Sequence, residues 1–307
     1  MLKKNSISVV APAYNEEDCI KEFVGRAINA FEDNNLKGEI LIIDDCSTDK
    51  TNKILRKILR KTKLVRVIKN KKNLGLTGAA WVGFENAKGD IIVFLPSDLE
   101  SDPREDIPLL LEPLSSGYDM SIGRRYGGKI GLIKGLTSYC FNFLARLLFQ
   151  IDLHDMGWVK AFKRDILKDI ELRSDWHRLF PIFVADKGYK IKEVRTKFYP
   201  RALNRSKYGK LGLRRLPGGF FDMIAVKFLV SFSKKPMFVF GGLGTLFLVT
   251  GFVLGSYLFI LKIINGTIGQ RLPLMFLTIL LIIAGIQLFA LGFLAELVVS
   301  LKESMKK

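Results

Sequence analysis

The sequence predicts an α/β protein that carries two membrane-crossing helices, and three observations carry that prediction. The first 125 residues alternate short apolar runs with helical patterns, the sequence form of βαβ units on a mostly parallel sheet. Residues 236–261 and 272–295 contain no Asp, Glu, Lys or Arg. Basic residues crowd the approach to the first of these stretches, with nine Lys or Arg against one Asp over 201–235, a net of +8.

Strands are expected at 6–11, 39–44, 64–69, 90–95 and 119–123, and helices at 16–34, 50–61, 76–87 and 104–115. Acidic and Asx residues stand just beyond the strand ends: Asn15, Glu16 and Glu17, then Asp44, Asp45 and Asp49, then Asp98 and Glu100. In open α/β sheets ligands bind in the crevice at the carboxyl ends of the strands, so these residues are expected to converge on one pocket. From Lys129 the pattern changes. Leu132, Leu136, Tyr139, Phe143 and Leu147 fall at helical spacing, which fits either a core-facing helix or one lying in the headgroup region. A second amphipathic stretch, 211–233, directly precedes the first uncharged run and is read as interfacial.

At about 1.5 Å rise per residue, each uncharged run covers the roughly 30 Å hydrocarbon core of a bilayer. The short connector between them holds only Lys262 and Arg271, whereas Lys302, Lys306 and Lys307 follow the second run. The positive-inside rule therefore puts both termini and the α/β region in the cytoplasm. The first residues, MLKKNSISVV, run straight into a strand pattern without a long apolar core or a small-residue cleavage site, so no signal peptide is expected. The expected organisation is an α/β domain over 1–200, a basic loop and juxtamembrane helix over 201–235, a hairpin of two spans over 236–301 and a tail over 302–307.

The chain has 307 residues, 49% of them apolar, and 48 basic against 30 acidic residues, a formal charge of +18. Such a charge suits nucleic acid, anionic lipid or a phosphorylated substrate. The spans favour the membrane, where each Lys or Arg near an anionic surface is worth about 1 kcal/mol, and no zinc-finger, RNP-type or basic-zipper signature supports nucleic acid. Cys19, Cys46 and Cys140 lack metal spacing, and with His154 and His177 they are read as structural. The glycines at 241–244 fall within an uncharged run and not after a strand, so they support no dinucleotide site.

Carboxylates at strand ends can accept hydrogen bonds from a base or ribose, as Asp45 could, or hold Mg²⁺ or Mn²⁺, as Asp98 with Glu100 could. Any one such Asp taken alone reads as a helix cap or turn residue; their ordered recurrence after successive strands points to a site. The runs VVAPAYNEE, IIDDCSTDKT, NLGLTGAAWVGFENAKGDIIVFLPSDLESDP, GRRYGG and RALNRSKYG, in this order and followed by two spans, resemble the A-type inverting glycosyltransferases of family 2. Within these they are similar to the dolichyl-phosphate mannose synthase and polyprenyl-phosphate glucosyltransferase group.

The resemblance implies a Rossmann-like A-type glycosyltransferase domain with amphipathic interfacial helices and two C-terminal transmembrane helices. It implies that Pro12, Tyr14, Glu16, Gly75 and Ser97 line the donor site, that Asp44 or Asp45 contacts the base, and that Asp98 is the central metal ligand with Glu100 beside it. Pro96-Ser97-Asp98 stands where many relatives have Asp-x-Asp, so the first carboxylate is missing and Glu100 supplies a charge in its neighbourhood. Arg125, Lys134 and Ser138 would grip a lipid phosphate, and Arg201, Arg205 and Lys207 would steady the donor diphosphate or the acceptor, with Asp98, Arg125 and Lys207 carrying the catalysis.

The implied reaction moves a hexose from a UDP- or GDP-linked donor to undecaprenyl or dolichyl phosphate with inversion, with membrane lipids as surroundings and self-association left open. A phosphate monoester is already ionised near neutral pH and needs no strong base, whereas a sugar hydroxyl would need one, with Asp98, Asp102 and Asp155 as candidates. Two further readings stay open at this point: a membrane glycosyltransferase that extends a lipid-linked or polysaccharide acceptor, and a non-catalytic scaffold that binds nucleotide sugar.

Overall fold

The computed structural model describes residues 5–127, 143–149, 151, 153–156, 158–170, 179–199, 223, 225–227 and 236–304. The chain divides into two compact units, Met1–Met223 and Ile224–Lys307.

The first unit is built on a seven-stranded sheet in the order β3-β2-β1-β4-β6-β5-β7. Its strands are β1 (Ile7–Ala13), β2 (Gly38–Asp44), β3 (Val65–Lys69), β4 (Ile91–Phe94), β5 (Met120–Tyr126), β6 (Lys160–Lys163) and β7 (Ile191–Lys197). Helices α1 (Ile20–Asp33), α2 (Thr51–Leu59), α3 (Gly75–Asn86) and α4 (Pro103–Ser115) complete the crossovers. All five expected strands and four expected helices are present. Strands β1 to β4 pair in parallel, as do β5 and β7, and β6 runs antiparallel to both β4 and β5.

Helices cover both faces of the parallel half, which is why its strands read as unbroken apolar runs. All seven residues of β1 are buried. Ile7, Val9 and Ala11 meet Phe23, Ile107 and Leu110 from α1 and α4 in one core. On the other face Phe84 stands edge-on to Phe94 and Phe162, with ring centroids 5.8 and 5.2 Å away. A Cβ on Gly83 would lie 2.3 Å from Val10 Cγ1, so the lack of a side chain there lets α3 lie close against the sheet.

Strands β6 and β7 were not anticipated. Lys160, on β6, is 2% exposed, with its ammonium 5.6 Å from the Phe94 ring and 5.9 Å from the Phe180 ring. A lysine in the core breaks the apolar pattern by which a buried strand is recognised. Of the amphipathic stretch that begins near Lys129, residues 143–149 are helical; they have Phe143 and Leu147 exposed and Ala145 buried. Most of the 211–233 stretch lies outside the described residues.

The second unit consists of two long apolar helices, Pro236–Asn265 and Leu272–Ser304. Both are long and apolar enough to cross a membrane. Large side chains stand exposed along both, such as Phe238 and Phe252 on the first and Leu280 and Phe293 on the second, a surface that suits lipid and not water. The helices meet at glycines. A Cβ on Gly244 would lie 2.8 Å from the Gly285 carbonyl oxygen, and one on Gly285 would lie 2.9 Å from that of Gly244. Near the opposite end of the second helix, a Glu296 carboxylate oxygen accepts the Met237 N–H at 3.2 Å and so caps the start of the first.

Candidate active site

The strand order reverses between β1 and β4: the chain moves from β1 outward to β2 and β3, then returns to β4 on the other side. Such a reversal opens a crevice at the carboxyl ends of the two strands. The loops after β1, β2 and β4 all lie at that end. Each holds a non-glycine residue at positive φ: Asn15 at 53°, Cys46 at 63° and Leu99 at 56°. Backbone strain of order 1–3 kcal/mol per residue persists only where surrounding contacts enforce it, and it concentrates at functional sites.

Those contacts are visible. Asn15 N–H donates to Ser47 Oγ at 3.1 Å, and Asn15 Oδ1 accepts the Thr48 N–H at 2.8 Å. Glu16 N–H donates to Thr51 Oγ1 at 2.9 Å, and Glu17 N–H to Asp49 Oδ2 at 3.1 Å. The β1 and β2 loops are therefore laced together by their Asx and hydroxyl residues. Tyr14 is 39% exposed beside them.

Asp44 and Asp45, left as alternatives by the sequence, have different surroundings. Asp44 is fully buried; its Oδ1 accepts the Ser47 N–H at 2.9 Å and its Oδ2 accepts Asn52 Nδ2 at 3.0 Å. Both oxygens are spent on the loop and on α2. Asp45 uses only Oδ1, which accepts Asn70 Nδ2 at 2.8 Å and the Leu74 N–H at 2.9 Å. Its Oδ2 takes no hydrogen bond among the described residues. Gly75, at φ 71°, opens α3 directly after Leu74, a backbone conformation that L side chains rarely adopt.

The loop after β4 is tied to β1. Ser97 Oγ donates to the Pro12 carbonyl at 2.8 Å, which brings two of the expected donor-site residues together. Asp98 Oδ1 accepts the Glu100 N–H at 3.2 Å in an Asx turn across Leu99. The described residues contain no cluster of three or more His, Cys, Asp or Glu side chains that could hold a metal ion. Two carboxylates two residues apart still fit Mg²⁺ or Mn²⁺ chemistry, because such ions commonly take one or two protein carboxylates and complete their shell with substrate phosphates and water.

Asp102, considered above as a base, caps α4 by accepting the Arg104 N–H at 2.9 Å and pairs with Arg26 at 2.5 Å. Behind it Asp106 is 1% exposed, and its carboxyl is pushed up to about 7 by burial first and then by the charges of Asp102 and Glu105. The buried Ser101 hydroxyl beside it opposes part of that rise.

On the other half of the sheet, Arg125 near the end of β5 forms a two-point ion pair with Asp155. Its Nε donates to Asp155 Oδ2 at 2.6 Å and its Nη2 to Oδ1 at 3.0 Å. The guanidinium also lies 5.4 Å from the centre of the Trp158 ring. Its Nη1 donates to no described residue. Asp155, whose role the sequence left uncertain, is thus the partner of Arg125. Glu193 on β7 accepts the backbone N–H groups of His154 and Asp155 at 2.6 and 3.0 Å, and His154 Nδ1 lies 2.9 Å from its second oxygen. Sequence reading did not single out Glu193, because nothing near it in the chain signals a partner 38 residues away. Lys134, Ser138, Arg201, Arg205 and Lys207 lie outside the described residues.

The residues just past the end of β7 also reach the loop after β4. Tyr199 N–H donates to the Glu100 carbonyl at 2.9 Å, and its hydroxyl donates to Glu105 Oε2 at 3.0 Å.

The sequence model described as Glycosyl transferase family 2 matches residues 8–171, which span β1 to β6. A dodecaprenyl-phosphate galacturonate synthase from Rhizobium johnstonii is 30% identical over 302 residues, covering 95% of this chain and 87% of its own. An undecaprenyl-phosphate 4-deoxy-4-formamido-L-arabinose transferase from Proteus mirabilis is 27% identical over 298 residues, covering 96% and 88%. Among solved structures, glucosyl-3-phosphoglycerate synthase from Mycobacterium tuberculosis, in complex with Mn²⁺, UDP and phosphoglyceric acid, superposes with a TM-score of 0.55 at 23% identity, covering 71% of this chain and 78% of that one. Fold and relatives together make this protein a glycosyltransferase of the A-type architecture. The chain belongs to glycosyl transferase family 2.

Proposed function

We propose that the protein transfers a hexose from a nucleotide diphosphate sugar, UDP-linked in the first instance, to a polyprenyl phosphate with inversion at the anomeric carbon. The observation that carries this reading is the placement of Asp45, with one oxygen in no hydrogen bond among the described residues, and of Asp98 with Glu100, in the loops beside the reversal of strand order. Likeness along 95% of the chain to a relative named for a polyprenyl phosphate product supports the acceptor. The UDP in the solved relative supports the donor base.

In this reading Asp45 accepts a hydrogen bond from the base or ribose, and Tyr14 and the Pro12–Ser97 link wall the nucleotide. Asp98 and Glu100 would hold a divalent cation, which would supply charge neutralisation for the departing diphosphate. Arg125 offers its Nη1 to the acceptor phosphate, with charge assistance. The acceptor oxygen forms a bond to the anomeric carbon as the bond from that carbon to the diphosphate oxygen breaks. No proton must leave the attacking oxygen, because the phosphate is already ionised near neutral pH. Asp102 and Asp155, both engaged in ion pairs, are then not needed as bases. Catalysis rests on holding two anions in line. The two apolar helices keep the chain in the membrane that holds the acceptor, with the catalytic unit and both termini on the cytoplasmic side.

Full-length protein in nanodiscs, given UDP- and GDP-sugars, Mg²⁺ or Mn²⁺ and a polyprenyl phosphate, is expected to yield a mild-acid-labile glycolipid, β-linked from an α-linked donor. Failure with every common donor, while the protein still binds nucleotide, would sink the reading.

A further inference from the structure

Arg125 and Glu193 stand on neighbouring strands, in a parallel ladder that pairs Ile122 with Glu193 and Arg125 with Thr196. Sheet hydrogen bonds therefore fix the separation of their backbones. Between them lies the segment 153–156, which belongs to no strand or helix. Glu193 grips that segment at three points, the N–H groups of His154 and Asp155 and the His154 ring. Arg125 grips it at the Asp155 carboxylate. Asp155 has 9% of its side chain exposed and Glu193 15%, so these contacts are largely shielded from competing water.

We propose that Glu193 is a positioning residue for the acceptor end of the site: by holding the backbone of His154 and Asp155 it presents the Asp155 carboxylate as a two-oxygen seat that aims the Arg125 guanidinium. Two fork contacts and the Trp158 ring hold the guanidinium through Nε and Nη2, so that Nη1 is the donor without a partner among the described residues. If the seat is loosened, the guanidinium can rotate, and a misplacement of about 1 Å in such a group can cost on the order of a hundredfold in rate. The inference rests on the reading of Arg125 as the acceptor-phosphate contact.

Its test uses full-length protein in nanodiscs. Glu193→Leu is expected to lower kcat/KM for polyprenyl phosphate by roughly tenfold to a hundredfold while donor KM stays within about twofold. Glu193→Gln, whose amide oxygen can still accept both N–H groups, is expected to recover most of the loss. In an Arg125→Ala background Glu193→Leu should add less than about twofold, because both changes act through one group. Should Glu193→Leu fail to fold, Glu193→Asp, one methylene shorter, replaces it. Multiplying effects in the double variant, or an equal rise in donor KM, would overturn the inference. Amide hydrogen exchange at residues 154 and 155 separates this outcome from failure of the acceptor reading. Faster exchange in Glu193→Leu is expected whatever the acceptor, and unchanged exchange refutes the role of Glu193, whereas a wild-type protein inert towards every polyprenyl phosphate refutes the function proposed above.

Discussion

Strands β3, β2, β1 and β4 form a parallel half whose candidate site residues come from loops directly following the strands, whereas β6, β5 and β7 form a mixed half whose candidate site is held by an ion pair and hydrogen bonds between distant segments. In the first half, position in the chain nearly determines position in the site: Asp45 and Asp98 sit one and four residues past the ends of β2 and β4. In the second, Arg125 finds Asp155 across 30 residues, and Asp155 finds Glu193 across 38. The parallel half can be built by local βαβ folding; the mixed half needs the whole sheet before its charges meet. The donor end should therefore tolerate changes in the mixed half better than the acceptor end does.

The largest effect that would break this division is expected at Asp98. Asp98→Ala should lower transfer by about a thousandfold, the scale of losing a group that stabilises charge in the transition state, with thermal stability nearly unchanged. Full activity in a radiolabelled-sugar assay would remove the parallel half from the chemistry.

A sharper test sets two neighbours against each other. Asp45→Ala should raise donor KM about tenfold to a hundredfold, because a hydrogen bond to a charged acceptor is worth roughly 1.5–3 kcal/mol. Asp44→Ala should chiefly lower the melting temperature, since both Asp44 oxygens serve the fold. The reverse pattern would exchange their roles.

Stability, and not activity, responds at Asp106. Its folded-state carboxyl, pushed up to about 7, holds a proton that the unfolded chain releases above the ordinary Asp value of 3.8. The folded state thus binds more protons between about pH 4 and 7, and stability falls as pH rises through that window, by an amount on the order of 4 kcal/mol. Asp106→Asn should flatten the dependence of melting temperature on pH and raise stability at pH 8. An unchanged profile would show that the charge is accommodated.

What could be read in the sequence follows the same line. The strands of the parallel half, buried on both faces, announce themselves as apolar runs, and the acidic residues at their ends mark the donor site proposed above. β7, IKEVRTK, carries four charged side chains and only one buried residue, so neither period nor composition signals a strand. β6 hides a lysine in the core. The choice between Asp44 and Asp45 needed the partners of each oxygen, which adjacent positions in the chain cannot reveal. The missing carboxylate at Pro96 was legible, and the structure adds that the loop's shape comes from Ser97 on Pro12 and the Asx turn at Asp98.

The glycine contacts between the two long helices have a mechanical consequence. Backbones that close leave no room for lipid tails to wedge between them, and the Glu296 cap ties the pair where the first helix begins. At about 1.5 Å per residue the 30-residue helix Pro236–Asn265 is roughly 45 Å long, well beyond the hydrocarbon thickness. In a thinner or thicker bilayer such a hairpin leans as a single stiff post, which makes its tilt, and not a splaying of its legs, the response to membrane thickness.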